Sequence, residues 1–284
     1  MDKPGRSYIY RLKKARRRFF EKGSLVSLAD IIQRLETAYS GRDCIVERVK
    51  NKNVVHTADE FCSDIRALSA YLLKNGLNGN AALVSENSYS WLVSFFAVTC
   101  SGFVCVPLDR ELPDAALVSL SKKADCTCFL FSRTYKKAAE AFCAEKNFES
   151  LCINGESFEN ALSEGKQLLK NGFQALQLSK IKGDDPAAIV FTSGTTGANK
   201  GVLLSHKNLV SSVQGVLSVI EPVYSALSVL PMNHTYELSC CVLSALCLGA
   251  VLYINDSFRH FQRNLSEFQP EGMAAVPLIP DNIY

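Results

Sequence analysis

Apolar positions along the chain recur with two different periods. Residues 7–22 place Tyr8, Leu12, Ala15 and Phe19 on one helical face, with Arg11, Lys14, Arg16, Arg18 and Lys22 off that face. Ser27, with Asp30 three residues later, predicts a capped helix. Its inner face is Leu28, Ile31, Ile32, Leu35 and Tyr39, and Gly41 stops it. Thr57 and Glu60 repeat the capping spacing and open a helix with Phe61, Ile65, Leu68 and Leu72 inward, ending at Asn75-Gly76.

Beyond this point short apolar runs alternate with helical stretches. The runs are Ala81–Ser85, Phe103–Pro107, Cys126–Phe131, Leu151–Asn154, Ala187–Thr192, Ala226–Leu230, Ala250–Ile254 and Met273–Val276. Continuous apolar strands separated by helices imply parallel pairing with both faces covered. The predicted fold class is therefore α/β, with largely parallel sheets flanked by helices. The polar, turn-forming stretch 180–186 is a candidate subdomain boundary.

Composition supports a folded body. Hydrophobic residues make up 48% of the 284, enough for a large core, which argues against disorder. Charge is unevenly placed: residues 1–22 carry nine Lys/Arg and two acids, and the remainder 22 basic and 26 acidic residues. The body is mildly acidic, which argues against a nucleic-acid protein with a basic groove across its fold. The basic leader, residues 1–23, is either a helix on an anionic membrane surface through residues 7–22 or a solvated terminal segment. The 11 cysteines show no metal-ligand spacing, so no metal site is assigned. Their scatter through apolar stretches points to a reducing, cytoplasmic setting, membrane-peripheral if the leader lies on a membrane surface. The uncharged run Leu238–Asn255 contains Ser239, Ser244 and Gly249 and divides into a helix and a strand; it is not read as membrane-spanning.

The chemistry-bearing segment follows the strand Ala187–Thr192. Thr192, Ser193, Thr195 and Thr196 supply hydroxyl donors, and Gly194 and Gly197 let backbone N–H groups curl around oxygen atoms. Lys200 adds a mobile positive charge. Donors, close backbone approach and charge are what a triphosphate requires. The spacing is not that of the Walker A loop, since Lys200 stands three places after Gly197 and Gly201 follows it. No G-x-G-x-x-G is present, so kinase and dinucleotide readings lose their main support.

Phe191–Val202 resembles the phosphate-loop signature of the adenylate-forming (AMP-binding) superfamily, which includes acyl-CoA synthetases and peptide-synthetase adenylation domains. Asn199 stands where that pattern usually has proline. Ser85–Trp91 with Leu92–Ala97 resembles the helix-opening segment of acyl-CoA synthetases, and Gly102–Asp109 the strand that follows it. Leu230-Pro-Met-Asn-His-Thr-Tyr-Glu237 resembles the motif beside the acyl pocket, in the H-x-x-E form of the long-chain fatty acid enzymes. Ala275–Leu278 resembles a later strand. Order and spacing agree from about residue 24 to the end.

The resemblance implies the N-terminal part of that fold, with residues 24–284 an incomplete adenylation domain. Its later motifs are not found: no Thr-Gly-Asp triplet and no Tyr-Gly dipeptide occur. It implies ATP-dependent activation of a carboxylic acid, most simply a fatty acid, with Mg²⁺ on the phosphates and coenzyme A as thiol co-substrate. Thr192, Ser193, Gly194, Thr195, Thr196 and Gly197 would grip the phosphates with Lys200. His234 would stand beside the carboxylate, with Tyr236 and Glu237 at the acyl pocket. A truncated nucleotide-binding remnant and an amino-acid adenylation fragment are the alternatives. Read without the resemblance, His234 is a capping residue for the helix at Leu238. Trp91 reads as core and His206 as structural. His56 and His260 have no companions in sequence that suggest chemistry.

Overall fold

The structure is a computed structural model, and it describes residues 25–144, 149–193 and 199–276. The basic leader and its proposed membrane-facing helix lie outside these residues. Helix α1 (Leu28–Ala38) begins where Asp30 accepts hydrogen bonds from the backbone N–H groups of Val26 and Ser27, at 2.6 and 2.8 Å. Strands β1 (Asp43–Val49) and β2 (Lys52–Thr57) form an antiparallel hairpin, and α2 (Ala58–Lys74) follows. At its start the Thr57 hydroxyl accepts from the Glu60 N–H at 3.1 Å.

The order continues as β3 (Asn80–Val84), α3 (Tyr89–Thr99), β4 (Cys105–Pro107), α4 (Asp114–Lys123), β5 (Cys126–Phe131), α5 (Lys136–Cys143), β6 (Glu149–Cys152) and α6 (Glu156–Lys170). Next come β7 (Pro186–Ser193), β8 (Asn199–Ser205), α7 (His206–Val219) and β9 (Ser225–Ser228). A single α turn, α8 (Thr235–Glu237), runs into a π-helical stretch (Leu238–Leu243) and then α9 (Ser244–Leu248). Strand β10 (Val251–Ile254), helix α10 (Phe261–Phe268) and strand β11 (Gly272–Met273) complete the described chain. The predicted division of the Leu238–Asn255 run is thus seen. Among the described residues no helix is long and apolar enough to cross a membrane.

The strands form two sheets, in the orders β6-β5-β3-β4-β7-β8 and β11-β9-β10-β1-β2. Pairing is parallel except at one edge of each, where β8 runs antiparallel to β7 and β2 to β1. These two antiparallel strands are absent from the sequence prediction. The β1–β2 turn uses Lys50 and Asn51 at φ 47° and 64°, without the glycine that normally marks such a turn. Along β8, Val202 and Leu203 are both exposed, so no alternation announces a strand.

Side-chain alternation explains the layers. In β3, Ala81 and Leu83 join the main core, and Ala82 and Val84 join the core under α4 and α5. In the other sheet, Leu252 of β10 belongs to the main core, and Leu227 of β9 packs outward with Phe261 of α10. Helix α3 lies between the sheets, in contact with β3 and β4 of one and β1 of the other. All eleven of its residues are buried, including Trp91 at 1% exposure. A helix enclosed on every side is largely apolar all round, as Tyr89–Thr99 is, with Ser90, Ser94 and Thr99 as its small polar residues.

The histidines divide. His206 is fully buried, and its Nδ1 accepts the Leu28 N–H at 3.3 Å, a structural role. His56 does have companions: it stacks on Tyr89 at 3.6 Å between centroids and lies between Glu47 and Glu60. The hairpin brings Glu47 across from β2, a pairing that sequence spacing alone does not reveal.

A candidate nucleotide and carboxylate site

A cleft of about 720 Å³ opens at the carboxyl ends of β4 and β7 from one sheet and β9 from the other. Open α/β folds bind ligands at such strand ends. Thr192 lines one side, at the end of β7. Strand β8 returns antiparallel, so Lys200 pairs with Thr192 and Asn199 with Ser193. Asn199 lines the cleft, and its carbonyl accepts a hydrogen bond from Lys123 at the end of α4. At Gly201 in this ladder a Cβ would lie 3.2 Å from side-chain atoms of Ile189 and Phe191, a tight fit that those side chains would have to relieve by small shifts. Gly194, Thr195, Thr196 and Gly197 lie outside the described residues, and the Ser193 side chain is not described.

The facing side is the segment after β9. Asn233, His234, Thr235, Tyr236 and Glu237 all line the cleft. His234 is the residue before α8, and its side chain makes no capping hydrogen bond, so its ring is left exposed at the cleft. Glu237 is fully buried. Its Oε1 accepts from the Ser228 hydroxyl at 2.6 Å and the Val229 N–H at 3.1 Å. Burial pushes its carboxyl up to about 7, with these hydrogen bonds acting the other way. Below that pH the cleft therefore carries less negative charge than its residue types suggest.

Beside the cleft lies an apolar groove of about 560 Å³, between α7, the π-helical stretch and the β9–β11 edge. Tyr236 lines both cavities, and its hydroxyl donates to the Ala275 carbonyl at 3.2 Å. The widened helix is stabilised where the Ser244 hydroxyl bonds the Ser239 carbonyl, five residues back, at 2.7 Å.

Thr192 and the segment that carries His234, Tyr236 and Glu237, far apart in sequence, thus share one cleft. Lys200 is exposed on the strand that forms its edge and is not among the residues lining it. Asp109, Asn233 and Thr235 also line the cleft, and the sequence alone does not single them out. Their signal was adjacency: each sits within or at the end of a motif already noted. Among the described residues, no cluster of three His, Cys, Asp or Glu side chains could hold a metal ion.

A family model described as AMP-binding enzyme matches residues 34–283. The chain belongs to that family. Its curated relatives include long chain acyl-CoA synthetases and 4-coumarate–CoA ligases. It is 26% identical over 228 residues to a chloroplastic long-chain-fatty-acid–[acyl-carrier-protein] ligase of Arabidopsis thaliana, covering 72% of this chain and 31% of that protein. It is 25% identical over 228 residues to 4-coumarate:CoA ligase 1 of Petunia hybrida, covering 78% of this chain and 41% of the relative. The AMP-binding chain thus spans between about a third and two fifths of these relatives' length. Among solved structures it resembles the inhibitor-bound N-terminal domain of FACL13 from Mycobacterium tuberculosis. That match has a TM-score of 0.77 and 20% identity, and covers 90% of this chain and 64% of the other. The fold is that of the N-terminal part of adenylate-forming enzymes.

Proposed function

We propose that this chain binds ATP and a carboxylic acid side by side and joins them as an acyl-adenylate, on the way to an acyl-CoA thioester. A carboxylate oxygen attacks the α-phosphorus, forming the mixed anhydride. The bond from that phosphorus to the β-bridging oxygen breaks, and pyrophosphate leaves with the electron pair. The thiol of coenzyme A then attacks the acyl carbon, and AMP leaves. The main physical obstacle to the first step is holding two anions in contact, so positioning and charge neutralisation dominate.

In this reading Thr192, Ser193 and the loop through Gly197 hold the pyrophosphate side, and Lys200 supplies charge over it. His234 meets the substrate carboxylate. Tyr236 and Glu237 form the wall toward the apolar groove, which takes the body of the acid. Mg²⁺, when bound, would neutralise phosphate charge.

The observation that carries the proposal is that Thr192 and His234 line one cleft while Tyr236 shares an adjoining apolar groove. The groove is walled by residues such as Val216, Ala226, Ala245 and Met273, which suit a hydrocarbon body. The names of the relatives point the same way, toward long-chain fatty and 4-coumaric acids.

The test is carboxylate-dependent ATP–pyrophosphate exchange with dodecanoate, palmitate, 4-coumarate and phenylalanine as separate substrates. Exchange highest with a fatty acid is expected. Exchange with phenylalanine alone would overturn the acyl assignment, and failure to exchange with any acid or to bind ATP would overturn the function.

A further inference from the structure

The two sides of the cleft belong to different sheets. Thr192 ends β7 of the six-stranded sheet, and His234 follows β9 of the five-stranded sheet. Something must fix their separation, because a displacement near 1 Å can cost a reaction two orders of magnitude. The segment between β3 and α3 is built for this. Its backbone leaves the six-stranded sheet and enters the helix that lies between the sheets.

Asn87 is the residue that reaches across. Its Nδ2 donates to the Leu230 carbonyl at 2.7 Å, and its Oδ1 accepts the Met232 N–H at 3.0 Å. A single side-chain amide therefore brackets Pro231, within the loop that carries His234. Asparagine is suited to this because one amide supplies both a donor and an acceptor. Other ties on that loop come from its own side: the Val229 N–H donates to Glu237, the Asn255 N–H donates to the Ser228 carbonyl at 2.9 Å, and the His234 N–H donates to the Pro231 carbonyl at 3.1 Å.

The post carrying Asn87 is itself held on both sides. Glu86 Oε1 accepts the Thr134 hydroxyl at 2.9 Å, just beyond β5. The Ser88 hydroxyl caps α3 by accepting the Trp91 N–H at 3.2 Å. The Tyr89 N–H donates to Glu47 of β1 at 2.9 Å. Four consecutive residues thus connect β5, the β9 loop, α3 and β1.

We infer that Asn87 is a positioning residue, which sets the His234 side of the cleft against the Thr192 side. The inference rests on the proposed role of His234, but the placement of that residue can be measured without any activity. In ¹⁵N-histidine spectra of the full chain, His234 is assigned through the His234→Gln variant. Asn87→Ala should shift or broaden the His234 ring signals and leave those of His56, His206 and His260 in place. Asn87→Asp keeps the acceptor for Met232 and loses the donor to Leu230, so it should give an intermediate change. Unmoved His234 signals in both variants, or all four histidines moving together, would overturn the inference, the latter marking a general structural role.

A second arm uses dodecanoyl-sulfamoyl adenosine as a probe. Asn87→Ala should weaken its binding about tenfold, with no further loss in a His234→Ala background. Additive losses would overturn the positioning role. If the unsubstituted chain does not bind the probe, the proposed function fails and the histidine spectra still decide on Asn87.

Discussion

Glu237 accepts a hydrogen bond from the Ser228 hydroxyl at 2.6 Å, and its other carboxyl oxygen is buried without a hydrogen-bond partner. A buried carboxylate oxygen without a donor favours the protonated form. The folded-state pKa of about 7 lies above the ordinary glutamate value of 4.5, so between those values the native chain holds more proton than the unfolded one. The contribution to stability is therefore full below pH 4.5 and is lost as pH rises through 7. Its ceiling is about 3 kcal/mol at 1.36 kcal/mol per unit. Urea unfolding at pH 5, 7 and 8.5 should show this decline in the native chain and a flatter profile in Glu237→Gln. Equal slopes would mean that the decline comes from another group.

His206 gives the opposite slope. Burial depresses its pKa from 6.5 to about 4, against raising contributions from Asp185, the Thr99 backbone and Asp30. The unfolded chain thus binds the proton more readily. The stability involved is present above pH 6.5 and is lost as pH falls through 4. The ring signals of His206 should keep their neutral-form positions from pH 7 down to 5. A midpoint near 6 would show that the residue is not buried as neutral imidazole.

Much of this arrangement was legible in the sequence, for stated reasons. The strand Cys126–Phe131 was bounded correctly because β5 is buried along most of its length and its composition is uniform. The capped start of α1 was visible because Ser27 and Asp30 act locally. The cleft was legible in part, because Thr192 and His234 each sit in a distinctive motif. Contacts between distant segments were hidden. Nothing near Asn87 in sequence reveals Leu230, and the companions of His56 appear only when β1 pairs with β2. The β8 strand was hidden because the adjacent residues Val202 and Leu203, on opposite faces, are both exposed, so no alternation marks it and Lys200 looked like the end of a loop rather than part of a ladder.

Gly165 predicts a stability effect independent of any activity. It lies in α6 where that helix packs on α2, and a Cβ there would fall 1.9 Å from the Ala67 carbonyl oxygen. The obstruction is backbone, which cannot rotate away as a side chain does. Gly165→Ala must push the helices apart, at a cost of about 3 kcal/mol. The urea midpoint measures it. By contrast, Gly215→Ala in α7 meets nothing within 4 Å and should leave the midpoint unchanged or slightly higher. Equal effects at the two positions would show that the α2–α6 approach is looser than described.

Lys200 and His234 should separate the two sides of the proposed reaction. Lys200 is exposed on an edge strand, so Lys200→Ala should leave the unfolding midpoint within about 0.5 kcal/mol of the parent. Its loss removes positive charge beside Thr192, which should weaken ATP binding about tenfold, and less so in high salt, where the parent's advantage is screened. His234→Ala should instead weaken the acid and leave ATP binding nearly unchanged, because the ring lies across the cleft from β7. Isothermal titration with ATP and with dodecanoate, each on both variants, gives the four values needed. An unfolded Lys200→Ala chain would make the lysine structural. Equal loss of both ligands in His234→Ala would mean that the histidine shapes the whole cleft and does not mark its acid side.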